Sequence, residues 1–174
     1  MTIRVGFVMN QTVQGWMGGV NYLRNLFHAL RSVPGGPIEP VLVVPPSTPD
    51  RLLASFPPVA AIRTRLVDRV PRVLRRTLTP LLGRDLAMER LLRAHGIDVL
   101  SHSEPLGHRA GLPSIGWIAD FQHLVMPEFF TPQEIAYRDR SFRQTLDAST
   151  LMVVSSEAAR RDLLRVDPNV PHRF

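Results

Sequence analysis

Short apolar stretches rich in β-branched residues alternate along this chain with longer stretches of helical spacing. Such alternation predicts repeated βαβ units and a mostly parallel sheet. The predicted strands cover residues 3–9, 41–45, 61–67, 97–102, 113–119 and 150–155. Most of them are apolar on both faces, as expected when helices cover both sides of a sheet. The sequence therefore predicts an α/β fold with a doubly wound, mostly parallel sheet.

Two of the predicted helices have explicit start signals. Thr131 and Glu134 have the spacing of a capping box, and Pro132 stands at the first helical position. Either Ser155 or Ser156 can cap the last helix. These signals predict one helix directly after residue 131 and another after residue 156.

Composition limits the function classes. A chain of 174 residues is about one domain, so we expect a single unit over residues 1–174. It contains no cysteine, which excludes disulfides, thiolate metal sites and a cysteine nucleophile. We find neither a secretion signal nor a membrane-spanning run, and we expect a cytoplasmic protein. The net charge is +6, but every basic residue is Arg, a bias more typical of coding preference than of a phosphate-binding surface.

In an open parallel sheet the ligand crevice lies beyond the carboxyl ends of the strands, so the segments that follow the strands are the candidate sites. After the first strand, Gly15, Gly18 and Gly19 lead into a predicted helix whose free amides could bind a phosphate. The spacing is neither a dinucleotide fingerprint nor a P-loop. A flexible loop in which the glycines only let the chain turn is an equal alternative.

Two later segments carry titratable side chains. After the fourth strand, His102, Glu104 and His108 could form a polar wall or a solvated turn. After the fifth strand, Asp120, Gln122 and His123 fall within four positions. These residue types can move protons or hold sugar hydroxyls. Alternatively, Asp120 caps a turn and His123 lies in the core, but the dense grouping favours function.

Four segments together resemble a known family. They are MGGVNYLRNLFHAL, SEPLG, WIADFQHLVMPEFFTPQE and VVSSEAARRDLLR. The combination resembles the N-terminal, Rossmann-like domain of a GT-B glycosyltransferase of the family-four type, over nearly the whole chain. Many relatives carry a histidine where this chain has Ala119.

The resemblance implies roles for named residues. Asp120 and His123 would be catalytic, and the amides of Gly18 and Gly19 would bind the donor diphosphate. The residues implied in acceptor and sugar binding are Trp16, Glu104, Gln122 and Glu128. The family also implies a nucleotide-sugar donor as substrate, a retaining mechanism, an acceptor that is a glycan, a lipid-linked or a small molecule, and neither cofactor nor metal. The donor-binding C-terminal domain has no counterpart in these residues, so we expect this acceptor-side domain to be inactive alone.

The segment 69–84 is rich in arginine and leucine. Its apolar residues fall on one helical face, so it could touch an anionic membrane peripherally, at the inner face. We favour an ordinary surface helix that buries its leucines against the sheet, and we expect Pro71 and Pro80 to shorten it. Two other classes remain open: a noncatalytic sugar or nucleotide-sugar binding domain, and a nucleic-acid binder. The arginine segment lacks interleaved aromatics, so we expect no nucleic-acid partner.

Overall fold

A computed structural model describes residues 2–9, 13–168 and 170, with residues 13–16 and 76 described by their backbone alone. The strands are β1 (Ile3–Val8), β2 (Ile38–Val44), β3 (Ala60–Arg63), β4 (Val99–Ser101), β5 (Ser114–Ile118) and β6 (Leu151–Val154). They form one parallel sheet in the order β3-β2-β1-β4-β5-β6. This is the predicted Rossmann-like α/β fold, and each of the six predicted strands is present.

Helices connect most of these strands. They are α1 (Val13–Ser32), α2 (Asp50–Leu53), α3 (Arg69–Leu82), α4 (Leu86–Ala94), α5 (Gln122–Val125), α6 (Pro132–Ala148) and α7 (Glu157–Val166). Short 3₁₀ turns cover Arg65–Val67 and Pro127–Phe129. Both predicted caps are confirmed: Thr131 and Glu134 form the capping box of α6, and the Ser156 side chain caps α7.

The sheet is buried on both faces, which makes the fold doubly wound. On β2, Leu42 and Val44 pack against α1 and α2, whereas Val41 and Val43 pack against α4 on the opposite face. A third apolar cluster joins β5 and β6 to α7. Alternate residues of one strand therefore contribute to two cores, and this is why the strand sequences are apolar throughout.

Three local predictions were wrong. The third strand ends at Arg63, because the side chain of Thr64 accepts from the amide of Leu66 and starts the 3₁₀ turn there. The prolines do not shorten α3: Pro71 lies in the first turn, where no amide is needed, and Pro80 lies inside the last turn. The apolar side chains of α3 are not buried either, as described below.

Candidate functional site

The carboxyl ends of β1 and β4 meet at the topological switch point of the sheet, where the strand order reverses direction. Ser103 links the two strand ends. Its Oγ accepts from the amide of Val8 at 3.0 Å, and its hydroxyl donates to the carbonyl of Ser101 at 2.8 Å. The backbone around β4 is therefore held in place at the position where this fold class binds its ligands.

His102 occupies this point in an unusual backbone conformation. Its φ is 53°, the one positive φ of a non-glycine residue in the described part of the chain. Its Nδ1 lies 2.7 Å from Ser101 Oγ, and its Nε2 lies 3.0 Å from the Tyr22 hydroxyl. The ring also packs among the rings of Phe7, Tyr22 and Trp117, at centroid distances of 5.5, 5.5 and 5.4 Å. A side chain with this many contacts can hold a strained backbone in place.

Burial sets the charge of this cluster. It lowers the pKa of His102 to about 4 and raises the pKa of Tyr22. At neutral pH the imidazole is therefore uncharged, with one nitrogen as donor and the other as acceptor. The Tyr22 hydroxyl keeps its proton. The rings of Tyr22 and Trp117 stack with their centroids 4.8 Å apart and together form an aromatic surface.

A cavity of about 470 Å³ opens beside His102. It exists because residues 102–113, all described, join β4 to β5 without a helix. A parallel crossover normally places a helix over the sheet face, and here that space is left unfilled. Val8 and Leu100 form its floor, α3 and α6 its two walls, and the segment after β4 its rim. Its volume lies within the usual range for small-molecule sites.

The polar groups of the cavity differ in their availability. The Arg75 side chain already has partners, because it forms an ion pair with Asp85 and its Nε donates to the carbonyl of Leu66. The side chain of Arg72 has no ion-pair or hydrogen-bond partner among the described residues, and neither has the side chain of Gln144 on the opposite wall. The cavity thus combines an apolar floor with one available cation and one available amide.

Asp120 lies just beyond β5 at the carboxyl edge of the sheet. Its Oδ1 accepts from the amide of Gln122 at 3.2 Å and from Arg138 Nη1 at 3.3 Å. The first contact is the turn-capping role considered from the sequence. The side chain is nevertheless 43% exposed, so a substrate can reach it.

His123 is placed differently from its predicted position at the crevice edge. Its side chain is 1% exposed, and its Nε2 lies 3.0 Å from Asp139 Oδ1 beneath α6. The rings of Phe121, Phe130 and Phe142 surround it. The core position was the alternative that the sequence left open, and it prevents direct contact with a substrate because three apolar rings cover the imidazole.

The remaining predicted residues are not gathered in one place. Glu104 is exposed at the rim of the cavity. Gln122 and Glu128 are exposed, in α5 and in the following 3₁₀ turn, and neither lines the cavity. The side chain of Trp16 lies outside the described residues, so its predicted acceptor role stays a prediction.

The expected glycine loop is part of a helix. Gly18 and Gly19 lie in the second turn of α1, which begins at Val13. The free amides of a helix belong to its first four residues, so those of these two glycines are used within the helix. The prediction that they lie in the loop before the helix was wrong, because the helical pattern continues upstream of them.

Among the described residues, no group of three His, Cys, Asp or Glu side chains could hold a metal ion. None of the described helices is long and apolar enough to cross a membrane.

No protein-family model matches the sequence, and no curated protein matches it. Solved structures do match its fold. One is a protein of Listeria monocytogenes described as a UDP-N-acetylglucosamine 2-epimerase, with a TM-score of 0.55 and 12% identity over 95% of this chain. Another is MnaA of S. aureus together with UDP, with a TM-score of 0.54 and 14% identity over 97% of this chain. The chain spans 42% of the length of each. It therefore has the fold of one Rossmann-like domain of GT-B proteins.

The sequence analysis included His102 in a possible polar wall but gave it no specific role. It did not predict Arg72, Tyr22 or Gln144 as site residues. The strongest available signal was positional, since His102 directly follows the strand beside the predicted first strand. Arg72 and Gln144 lie on helices far apart in sequence, and only the tertiary fold brings them to one cavity.

Proposed function

We propose that this chain is the acceptor-side domain of a GT-B glycosyltransferase that moves a sugar from a nucleotide-sugar donor to a hydroxylated acceptor. The observation that carries the proposal is the cavity at the switch point of a GT-B type domain. Its uncharged imidazole, its aromatic surface and its available amide suit an acceptor with several hydroxyl groups. The donor would be held largely by residues outside the described domain.

Within this proposal, Asp120 is the reacting carboxylate, because it is 43% exposed at the carboxyl edge of the sheet, although it does not line the cavity. His123 contacts Asp139 beneath α6 and has no direct part in the reaction. The diphosphate-binding role of Gly18 and Gly19 stays a prediction. The retaining, family-four assignment rests on the sequence motifs, and the fold is compatible with it.

The experiment uses the protein expressed from its full open reading frame and a panel of nucleotide sugars with sugar acceptors. Release of nucleoside diphosphate is measured for the wild type and for Gln144→Trp, which fills the cavity. Gln133→Trp is the matched control, because Gln133 is exposed on the same helix and does not line the cavity. We expect Gln144→Trp to lower kcat/KM for the acceptor at least about tenfold, as blocking a binding pocket should. Gln133→Trp should behave as the wild type.

The outcomes separate the alternatives. Equal acceptor kinetics in both variants would exclude the cavity as the acceptor site. An isomeric nucleotide sugar without net release of nucleoside diphosphate would instead indicate an epimerase, the activity in the description of the Listeria protein.

A noncatalytic sugar-binding domain is the second candidate. The burial of His123 favours it, because that residue is removed from direct chemistry. It predicts saturable acceptor binding, abolished by Gln144→Trp, with no consumption of any nucleotide sugar.

A further inference from the structure

Helix α3 presents its apolar side chains to solvent and its polar side chains to the protein. Each of its large apolar residues is between 42% and 81% exposed. These residues, here called the α3 face, are Val70, Val73, Leu74, Leu78, Leu81 and Leu82. The opposite side carries Arg72, Arg75 and Thr79, which line the cavity. A surface helix normally has the reverse arrangement.

Specific contacts fix this orientation. Arg75 pairs with Asp85, which caps the next helix, and its Nε donates to the carbonyl of Leu66 at 3.2 Å. Turning the α3 face inward would break both contacts and bring an arginine out of a partly buried ion pair. Specific contacts therefore keep this apolar row exposed, and contiguous exposed apolar residues of this kind mark interaction surfaces.

The charge of the helix indicates what covers the row. Helix α3 contains no acidic residue, and because Arg72 and Arg75 lie on the cavity side, the described cations near the α3 face are Arg69 and Arg65. Arg69 is exposed at the edge of the α3 face, and Arg65 is exposed just before the helix. Apolar side chains bordered by guanidinium groups suit the headgroup region of an anionic bilayer. Two copies of the chain, packed face to face here, would instead bring like charges together.

We propose that the α3 face docks on the surface of an anionic lipid bilayer, with its leucines among the acyl chains and Arg69 at the phosphates. This inference is independent of the proposed function, since it depends only on the orientation and charge of α3. It assigns a membrane surface as partner to a chain whose described helices cannot span one.

The test is co-sedimentation of the full chain with vesicles of equal parts phosphatidylglycerol and phosphatidylcholine, and with vesicles of phosphatidylcholine alone. The double variant Leu74→Ser/Leu78→Ser removes the centre of the α3 face. Leu124→Ser/Val125→Ser is the matched control, since Leu124 and Val125 are also exposed but belong to α5. We expect the first variant to lower partitioning to anionic vesicles at least about tenfold, and the control to leave it unchanged.

Charge is tested separately. Arg69→Gln should lower anionic partitioning about fivefold, which corresponds to about 1 kcal/mol per arginine near such a surface. Unchanged melting by circular dichroism shows that each variant is folded.

Three results would overturn the proposal. They are no binding of the wild type to anionic vesicles, equal binding to phosphatidylcholine alone, and equal loss of binding in the α5 control. Concentration-dependent dimers that disappear in Leu74→Ser/Leu78→Ser, without vesicle binding, would assign the face to a second copy.

Discussion

His102 and His123 look alike in the sequence, but they lie in opposite situations. Each follows a strand of the sheet, and each is surrounded by aromatic rings. His102 lines a cavity at the switch point, with both ring nitrogens near hydroxyl groups. His123 is sealed under α6, with one nitrogen facing a carboxylate and Nδ1 without a hydrogen-bond partner among the described residues. Position relative to the strand order therefore says more about access to a ligand than the number of polar neighbours in the sequence.

The largest expected effect tests the structural role of His123. His123→Ala would leave a cavity among three phenylalanine rings, and it should lower the free energy of unfolding by about 2–4 kcal/mol. Urea denaturation followed by circular dichroism measures this. His123→Leu is the control, because it refills the space and removes the unpartnered Nδ1; it should cost about 1 kcal/mol or less. Loss of turnover in a fully stable His123→Leu protein would restore the catalytic hypothesis.

The next effect concerns the charge of His102. Its pKa is about 4 in the folded chain, against the ordinary value of 6.5. Well above pH 6.5 the His102 imidazole is neutral in both the folded and the unfolded chain, so it causes no loss of stability there. Between pH 6.5 and pH 4 the unfolded chain binds a proton that the folded chain excludes, so stability falls as pH falls. The loss should reach at most about 3 kcal/mol.

Unfolding of the wild type and of His102→Asn at several pH values isolates this contribution. Asparagine tolerates a positive φ and does not titrate. Subtracting the two profiles should leave a fall in stability confined to that pH window. A flat difference would mean that the imidazole protonates at the same pH in the folded and unfolded chains, so that folding does not lower its pKa.

The element order was predictable from the sequence because strand burial and helix caps are local signals. Thr131 and Ser156 act through bonds within a few residues, and each strand is recognisable from its own apolar run. The orientation of α3 was not predictable, because the pairing of Arg75 with Asp85 decides it. The choice between His102 and His123 depends on which helix covers which strand end, a tertiary property that residue spacing does not contain.

The backbone gives a third, smaller contrast. At His102 the positive φ favours glycine, so His102→Gly should be about 1 kcal/mol more stable than His102→Ala. At His123, inside α5, the preference should reverse, with alanine more stable than glycine by up to about 1 kcal/mol. Thermal unfolding of the four variants measures both differences. The same sign at both sites would mean that the His102 backbone is unstrained or relaxes on substitution.

The smallest stability effect is expected at Asp120, which belongs to the surroundings of His123. Its partner Arg138 stacks over Phe130 at 4.6 Å, and Phe130 meets the His123 ring edge-on at 6.3 Å. Asp120→Ala removes the turn cap and a partly exposed ion pair, so the free energy of unfolding should fall by about 0.5–1 kcal/mol. Asp120→Asn keeps an oxygen for the amide of Gln122, and about half of the loss should be recovered.

Turnover of the protein from the full open reading frame then tests the chemistry, since a reacting carboxylate cannot be replaced by an amide. We expect both variants to lose at least about tenfold in kcat despite their small stability losses. Wild-type turnover in Asp120→Asn would mean that Asp120 only caps the turn. The reacting group would then lie among the residues around the His102 cavity.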